Sequence, residues 1–564
     1  MTARAARPRV IRPAELGVRA DGGLPPGTSV ELDADTRQLA ADVLFGGSPA
    51  RVLRLSAAGL DALAELRAGA ISSAAAATLA RRLADTGLAH PRPRPVTGTP
   101  DVTVVVPVRD RAAELDRCLA AAGAGHRVLV VDDGSQDPDA VTAVCAARGA
   151  QVVHRDRNGG PGPARNSALR MISTELVAFL DSDCIPPPGW ITELAGHFAD
   201  PLVAAVAPRI VAAGPGAGSS PLDLGDRPAR VAPMTRVSYL PTAALLLRRA
   251  ALGAGFDEAL RYGEDVDLIW RLIEAGWRVR YDPAVRVPHA EPRTRTALLA
   301  RRFRYGTSAA PLALRHPGAL APLVLQPWPA LTMAALLARR PVAAGACFGA
   351  SAALLTGRLR ASGLPSRGVI RPMAGGVWQT WLGTGRWCGQ FAAPVLLILI
   401  ARPGGRRPAQ RWGRRLAAAS LLAGPPLAQW ARDRRGNPLR PALEALADQA
   451  AYGAGVYAGC LRERTVAPVL PVIAARPFEG PGAGSRPRQL LSRARRAVSR
   501  GRGLPRVPAG LLGVFLSSLG IYGGNRGSCA PAAPQLPRCP QPALAGWIRA
   551  RQPAAVRAED QEGR

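Results

Sequence analysis

The chain has 564 residues, enough for several domains and at least one large core. Its 73 basic residues, all arginine, outnumber 41 acidic ones and leave a formal charge of +32. An Arg-, Ala-, Gly- and Pro-rich composition points to a general compositional bias. No helix-turn-helix signature, zinc-finger spacing or aromatic RNA-binding motif accompanies the charge, which argues against a nucleic-acid partner. Eight cysteines (118, 145, 184, 347, 388, 460, 529 and 539) form no Cys-x-x-Cys pair and no zinc-like cluster with histidine, so they read as dispersed cytosolic thiols. Residues 1–20 lack the apolar core of a secretory signal, and the catalytic part is expected in the cytoplasm.

In chain order, residues 1–27 are rich in Arg, Pro and Gly and are expected to be disordered. Residues 28–95 form a small unit. Ser29 to Leu32 and Arg51 to Leu55 are strand-like, Leu60 to Arg67 and Ala74 to Thr86 have helical spacing, and Gly87-Leu88-Ala89-His90 closes the unit. The pattern predicts a small α/β or winged-helix-like module. Its order resembles peptide-recognition domains attached to peptide-modifying enzymes, and a packing extension without its own ligand is the alternative reading. Pro91-Arg92-Pro93-Arg94-Pro95 is a stiff linker.

Residues 99–317 carry the alternation of an α/β domain. Apolar runs at Val102–Val106, Val128–Val131, Gln151–His154, Leu176–Leu180 and Leu202–Ile210 predict strands of a doubly wound parallel sheet. Helices are expected near 112–122, 138–148, 163–172 and 189–199. Strands two and four end in acids, Asp132-Asp133 and Asp181-Ser182-Asp183, so four carboxylates are expected along one sheet edge, where open α/β sheets collect ligands. Carboxylates there suit Mg²⁺ or Mn²⁺ shared with substrate phosphates, although Asp and Ser also favour plain strand-to-turn junctions.

Four ordered motifs then carry a resemblance: Val104-Val105-Val106-Pro107-Val108-Arg109, Val130-Val131-Asp132-Asp133-Gly134-Ser135, Gly159 to Asn166, and Asp181-Ser182-Asp183. Together they resemble family-2 glycosyltransferases of the GT-A fold, Rossmann-like nucleotide-diphospho-sugar transferases. The resemblance implies that Pro107 and Val108 line the base pocket, that Asp132 or Asp133 binds the uracil, and that Arg165 approaches the ribose or diphosphate. It also implies that Asp181 contacts sugar or ribose and that Asp183 holds the metal on the diphosphate of a UDP-sugar. In Tyr262-Gly263-Glu264-Asp265-Val266-Asp267 it implies a catalytic Glu264–Asp265 pair, with Asp265 as the base that deprotonates the acceptor hydroxyl. The alternative is the ordinary preference of acids for a helix N-terminus. Tyr239 to Leu245 matches the segment lining the acceptor side. His289 completes the metal site in many members, with a structural histidine as the other reading, and Arg304 of Arg301-Arg302-Phe303-Arg304-Tyr305 would stabilise the leaving diphosphate. That last element departs from the Gln-x-x-Arg-Trp pattern of processive synthases.

Residues 318–470 are apolar and helical in pattern. Uncharged runs at 318–338 and 341–357 and patches at 387–401 and 416–431 are short or broken by Pro, so interfacial or hairpin insertion and full crossing both stand. The connecting arginines favour an anionic membrane surface on the cytoplasmic side, the alternative being a water-soluble Ala-rich helical domain. Residues 471–564 are expected to be mostly disordered.

The whole combination resembles the mycofactocin biosynthesis glycosyltransferases of actinobacteria. For these the resemblance implies inverting transfer of glucose from UDP-glucose, building a β-1,4-linked oligosaccharide on a peptide-derived redox cofactor or its precursor. The rival readings are a membrane-associated glycosyltransferase of a cell-envelope glycan, a nucleotidyltransferase making UDP-sugars, and a non-catalytic nucleotide-fold binding module.

Overall fold

The computed structural model describes residues 7–474, apart from 21, 123–124, 215–219, 293, 367–368, 403–407 and 434–436. The expected carboxyl-terminal tail therefore lies, from residue 475 on, outside the described residues.

The amino-terminal module begins with β1 (Ser29–Leu32), followed by the meander β2 (Arg37–Ala40), β3 (Val43–Gly46) and β4 (Arg51–Arg54). Helices α1 (Ala57–Ala68) and α2 (Ala74–Thr86) follow, and β5 (Ala89–Arg92) pairs antiparallel with β1. Ser56 and Ser73 cap the two helices by accepting the Gly59 and Ala76 amides, as expected for serine at a helix start. Leu44, Leu63, Leu83 and Leu88 fill the core between sheet and helices. Buried ion pairs fasten the module to the next domain: Arg81 with Asp200 at 2.6 Å, and Arg236 with Asp33 at 3.0 Å.

Residues 7–20, expected to be disordered, are instead laid against the back of the central domain. Val10 is buried in the central domain's core, Trp277 donates its indole N–H to Ile11 O at 2.6 Å, and the Ile11 amide donates to Ala251 O. Main-chain groups and the single Val10 side chain do the holding, so an Arg/Pro-rich composition gave little warning of it.

The central domain is built on an eight-stranded sheet. In chain order its elements are β6 (Val102–Val108), α3 (Ala112–Ala122), β7 (Arg127–Asp132), α4 (Pro138–Ala147), β8 (Gln151–His154), α5 (Pro161–Leu169), β9 (Leu176–Leu180), α6 (Trp190–Ala195) and β10 (Val203–Ala212). Then come β11 (Ala229–Arg230), β12 (Ala244–Arg248), α7 (Arg249–Leu252), α8 (Glu264–Glu274) and the long β13 (Arg278–His289). The strand order is β11-β13-β10-β12-β9-β6-β7-β8. The chain winds outward from β6 to β8 and returns to the other side of β6 as β9, leaving a crevice at the strands' carboxyl ends. Strands β6, β7 and β9 are apolar and buried on both faces, as parallel central strands must be.

The sheet is mixed, where a parallel one was expected. Strand β12 inserts antiparallel between β9 and β10, pairing Leu246 with Ala178 on one side and with Val206 on the other. Its insertion draws the preceding segment, Tyr239–Ala243, over the ends of the parallel strands.

Helices α9 (Arg295–Thr307) and α10 (Ala309–Arg315) leave the domain. The helical region then comprises β14 (Val324–Leu325), α11 (Pro327–Leu337), α12 (Pro341–Ala361), α13 (Ile370–Phe391), α14 (Ala393–Ala401), α15 (Pro408–Asp433), α16 (Leu439–Glu463) and β15 (Val472–Ile473). Trp387, Phe391, Leu421, Tyr452 and Val456 form its core. Helix α16 lies directly on α9, and the contact needs glycine: a Cβ at Gly455 would strike the Phe303 carbonyl, and one at Gly306 the Tyr452 carbonyl. Arg302, wholly buried, faces Asp448 at 2.8 Å and Tyr452's ring at 5.2 Å in this seam.

Candidate active site

An open cavity of about 560 Å³ occupies the crevice at the carboxyl ends of β6, β7 and β9. Three groups of side chains build its walls. Pro107 and Val108 come from the end of β6, and Asp133 follows β7. Asp133 accepts from the Gly159 and Gly160 amides, at 3.0 and 2.7 Å, and from Arg155, so a glycine-bearing turn is drawn against this wall of the cavity. Asp132 stands behind this wall, accepting from Ser135 N at 3.0 Å with His154 Nδ1 at 2.8 Å. Of the two aspartates left open as uracil partners, Asp133 lines the cavity and Asp132 is absorbed by the turn.

The second group surrounds the Asp-Ser-Asp turn after β9. Asp183 meets Arg111 Nη1 at 2.5 Å, and His289 Nε2 lies 3.5 Å from its other oxygen. His289 ends β13, is almost fully buried, and has Nδ1 3.0 Å from Glu291, which fixes the ring with Nε2 facing Asp183. Glu291 is itself paired with Arg301 of α9. Burial alone would lower the His289 pKa, but the Glu291 hydrogen bond and the Asp183 charge outweigh it and raise it. Burial, resisted by Arg165 and aided by Asp183, raises Asp181 above the ordinary carboxylate value.

No cluster of three or more His, Cys, Asp or Glu side chains with metal-holding geometry exists among the described residues. Asp183 and His289 offer two donors, and Asp183 is paired with the Arg111 guanidinium. Two protein ligands suffice for Mg²⁺ or Mn²⁺ when a diphosphate supplies the rest.

The third group opens α8. Gly263, in the left-handed conformation at φ 80°, turns the chain so that Glu264 and Asp265 occupy the first helical positions. Glu264 is buried and bonded to Arg165 Nη1 at 3.0 Å, while Arg165 Nη2 donates to Asp181 at 2.8 Å. Arg165 was expected to approach ribose or diphosphate. Its side chain lines the cavity, with the guanidinium held by two carboxylates and packed near the Phe179 and Phe256 rings. Burial and the neighbouring Asp265 charge push Glu264 up to about 8 against the pull of Arg165. Asp265 is half-buried and open to the cavity, and burial raises its pKa as well. Arg304 and Tyr305 of α9 and Tyr239 complete this side.

The model of the family described as "Glycosyl transferase family 2" matches residues 103–252. Over 479 residues the chain is 39% identical to the "Pre-mycofactocin glycosyltransferase" of Mycobacterium tuberculosis, covering 80% of this chain and 98% of that protein. The chain belongs to the pre-mycofactocin glycosyltransferase family, within glycosyl transferase family 2. It is a glycosyltransferase with the expected GT-A architecture. A more distant relative is the "Succinoglycan biosynthesis protein ExoU" of Rhizobium meliloti, 29% identical over 32% of this chain and 59% of that protein. Among solved structures, the mannosyltransferase PcManGT from Pyrobaculum calidifontis, in complex with GDP-Man and Mn²⁺, aligns at 20% identity and TM-score 0.37. The alignment covers 64% of this chain and 89% of that one.

Two residues lining this glycosyltransferase's cavity, Arg111 and Tyr452, and one behind it, Glu291, escaped the sequence reading. Arg111 sits just past the first strand motif and could have been found from its register with Arg109. Glu291 follows His289 by two residues and carries the orienting role. Tyr452, on α16, lines the cavity from far along the chain, and nothing local in the sequence signals it.

Proposed function

We propose that this enzyme transfers glucose from UDP-glucose, with inversion, to a mycofactocin precursor and extends it as a β-1,4-linked oligosaccharide. The observation that carries the reaction type is Asp265, open to the cavity in the first turn of α8 and raised in basicity by burial. The acceptor assignment draws its support from the relative's name and the near-complete coverage of that relative.

Asp265 takes the proton of the acceptor hydroxyl as its oxygen attacks the anomeric carbon. The bond from that carbon to the diphosphate oxygen breaks, and UDP departs from the opposite face in one displacement, which inverts the centre. Pro107, Val108 and Asp133 hold the base, and Arg304 stabilises charge on the departing diphosphate. Asp183 and His289 would hold Mg²⁺ or Mn²⁺, whose charge would neutralise that diphosphate. Glu264, tied to Arg165, positions the first turn of α8.

The same reading places the catalytic domain in the cytoplasm, against an anionic membrane surface. Its support is α12, 21 residues with a mean hydropathy of 1.4 in its apolar window and 6% of that window buried.

Mass spectrometry of small-molecule extracts from the host, with and without the gene, tests the function. Loss of a hexose-spaced ladder on a peptide-derived redox compound is expected. An unchanged ladder with an altered envelope glycan would replace the proposal with the envelope reading.

A further inference from the structure

We infer that α12 lies within one leaflet of an anionic bilayer, parallel to its plane, with both ends on the catalytic side. The inference rests on the membrane reading above and goes beyond it by fixing how the helix meets the lipid.

By length α12 could cross: 21 residues rise about 31 Å, close to the thickness of a hydrocarbon core. Its two ends exclude this. The amino-terminal end follows α11, whose Ala330 belongs to the helical core with Trp387 and Phe391. At the carboxyl-terminal end, Arg54 of the amino-terminal module donates to Ser362 O at 2.9 Å, and Leu364 and Val369 are buried just beyond. That module is fastened to the central domain through Arg81 and Asp200. Both ends of α12 thus return to one polar body, which cannot stand on two sides of a membrane.

The surface of α12 says what covers it. Ala344 is its sole buried residue, Val342 and Leu354 are 86% and 51% exposed, and a Cβ at Gly345, Gly349 or Gly357 would meet nothing within 4 Å. The apolar character runs round the whole helix. A protein partner covering one stripe would leave the remainder in water, whereas acyl chains enclose it. Arg340 precedes the helix and Arg358 and Arg360 occupy its end, placed to reach phosphates from an immersed stem. Between Glu291 and Asp433 the sequence contains no Asp or Glu while arginines recur throughout, which selects an anionic leaflet over a neutral one.

Vesicle flotation of the full chain, with phosphatidylcholine alone or with phosphatidylglycerol added, gives the first measurement. At least tenfold stronger partition to the anionic vesicles is expected. Replacing Val342→Asp and Leu354→Asp together, both on the exposed surface and far from the cavity, should reduce partition about tenfold and leave UDP-glucose hydrolysis unchanged. Orientation is read separately with a membrane-impermeant maleimide. Arg340→Cys and Ser362→Cys are labelled one at a time, in protein bound to sealed vesicles and with Cys347, Cys529 and Cys539 changed to Ser. Labelling of both from the outside supports the in-plane helix. Protection of one with labelling of the other overturns it in favour of a crossing helix while leaving membrane association intact. Failure of the parent chain to float with either vesicle overturns membrane association and the inference together.

Discussion

Arg165 and Glu264 stand 99 residues apart in the chain and 3.0 Å apart in the wall of the cavity. The same guanidinium holds Asp181, so one buried side chain ties the Asp-Ser-Asp turn after β9 to the first turn of α8. Removing the guanidinium leaves the Glu264 and Asp181 oxygens without their donor, at a cost of about 1–3 kcal/mol. Arg165→Met should lower the melting temperature and abolish transfer. Arg165→Lys, which keeps the charge without the two-pronged reach, should recover stability in part and little of kcat. An Arg165→Met protein that melted and turned over like the parent would eliminate the strut.

Asp265→Asn tests the base. A general base contributes about 10²–10⁴-fold, so kcat for transfer should fall by that order while UDP-glucose binding, followed by calorimetry, stays within about twofold. Parent-like turnover would shift the role to Glu264.

Glu264 predicts a pH signature of stability. Its ordinary value is 4.5, and burial first, then Asp265, raises it to about 8 in the folded protein. Across that window the folded state keeps a proton that the unfolded state has released, so stability falls as pH rises. Melting temperatures from pH 4.5 to 8 should show the fall, and Glu264→Gln should flatten it. Identical slopes in both proteins would contradict the assignment.

Asp183, His289 and Glu291 predict graded effects on a divalent cation. Mn²⁺ titration followed by electron paramagnetic resonance should show binding, with UDP present, lost in Asp183→Ala. Glu291→Gln, which takes the charge from the partner that orients the imidazole, should weaken it about 10–100-fold. Retained affinity in Asp183→Ala would move the cation elsewhere.

Gly455→Ala adds a Cβ against the Phe303 carbonyl, where backbone on both sides has no room to yield. Overpacking of this kind costs about 1–3 kcal/mol. Lower thermal stability is expected, and transfer should fall with it because Arg304 and Tyr305 sit on the displaced helix. A neutral substitution would mean that the seam is looser than its geometry.

The sequence was most legible where one local pattern served one purpose. The apolar runs of β6, β7 and β9 and the acids at their ends declared both the sheet and its ligand edge. Strand β12 was not recognisable as an antiparallel insertion, because Ala244–Arg248 reads the same in either direction and only its pairing decides. The strap at residues 8–11 is held largely through main-chain atoms with Val10 its one buried apolar side chain, too little to make a pattern. Arg165 was found as a site residue, but its commitment to Glu264 depends on a contact across most of the domain. Arg302, a basic residue in a basic stretch, gave no sign that it is wholly buried against Asp448, because burial was decided by a helix that arrives much later in the chain.

That late arrival changes what counts as the enzyme. Residues 103–252 carry the match to glycosyl transferase family 2, yet Tyr452 supplies part of the cavity and the Arg302–Asp448 seam carries it there. The helical region is therefore no interchangeable cassette. Recombination that grafted another relative's carboxyl-terminal half onto this nucleotide-binding half would have to bring α9 and α16 together, as one inherited unit, or leave the reaction chamber without its far wall.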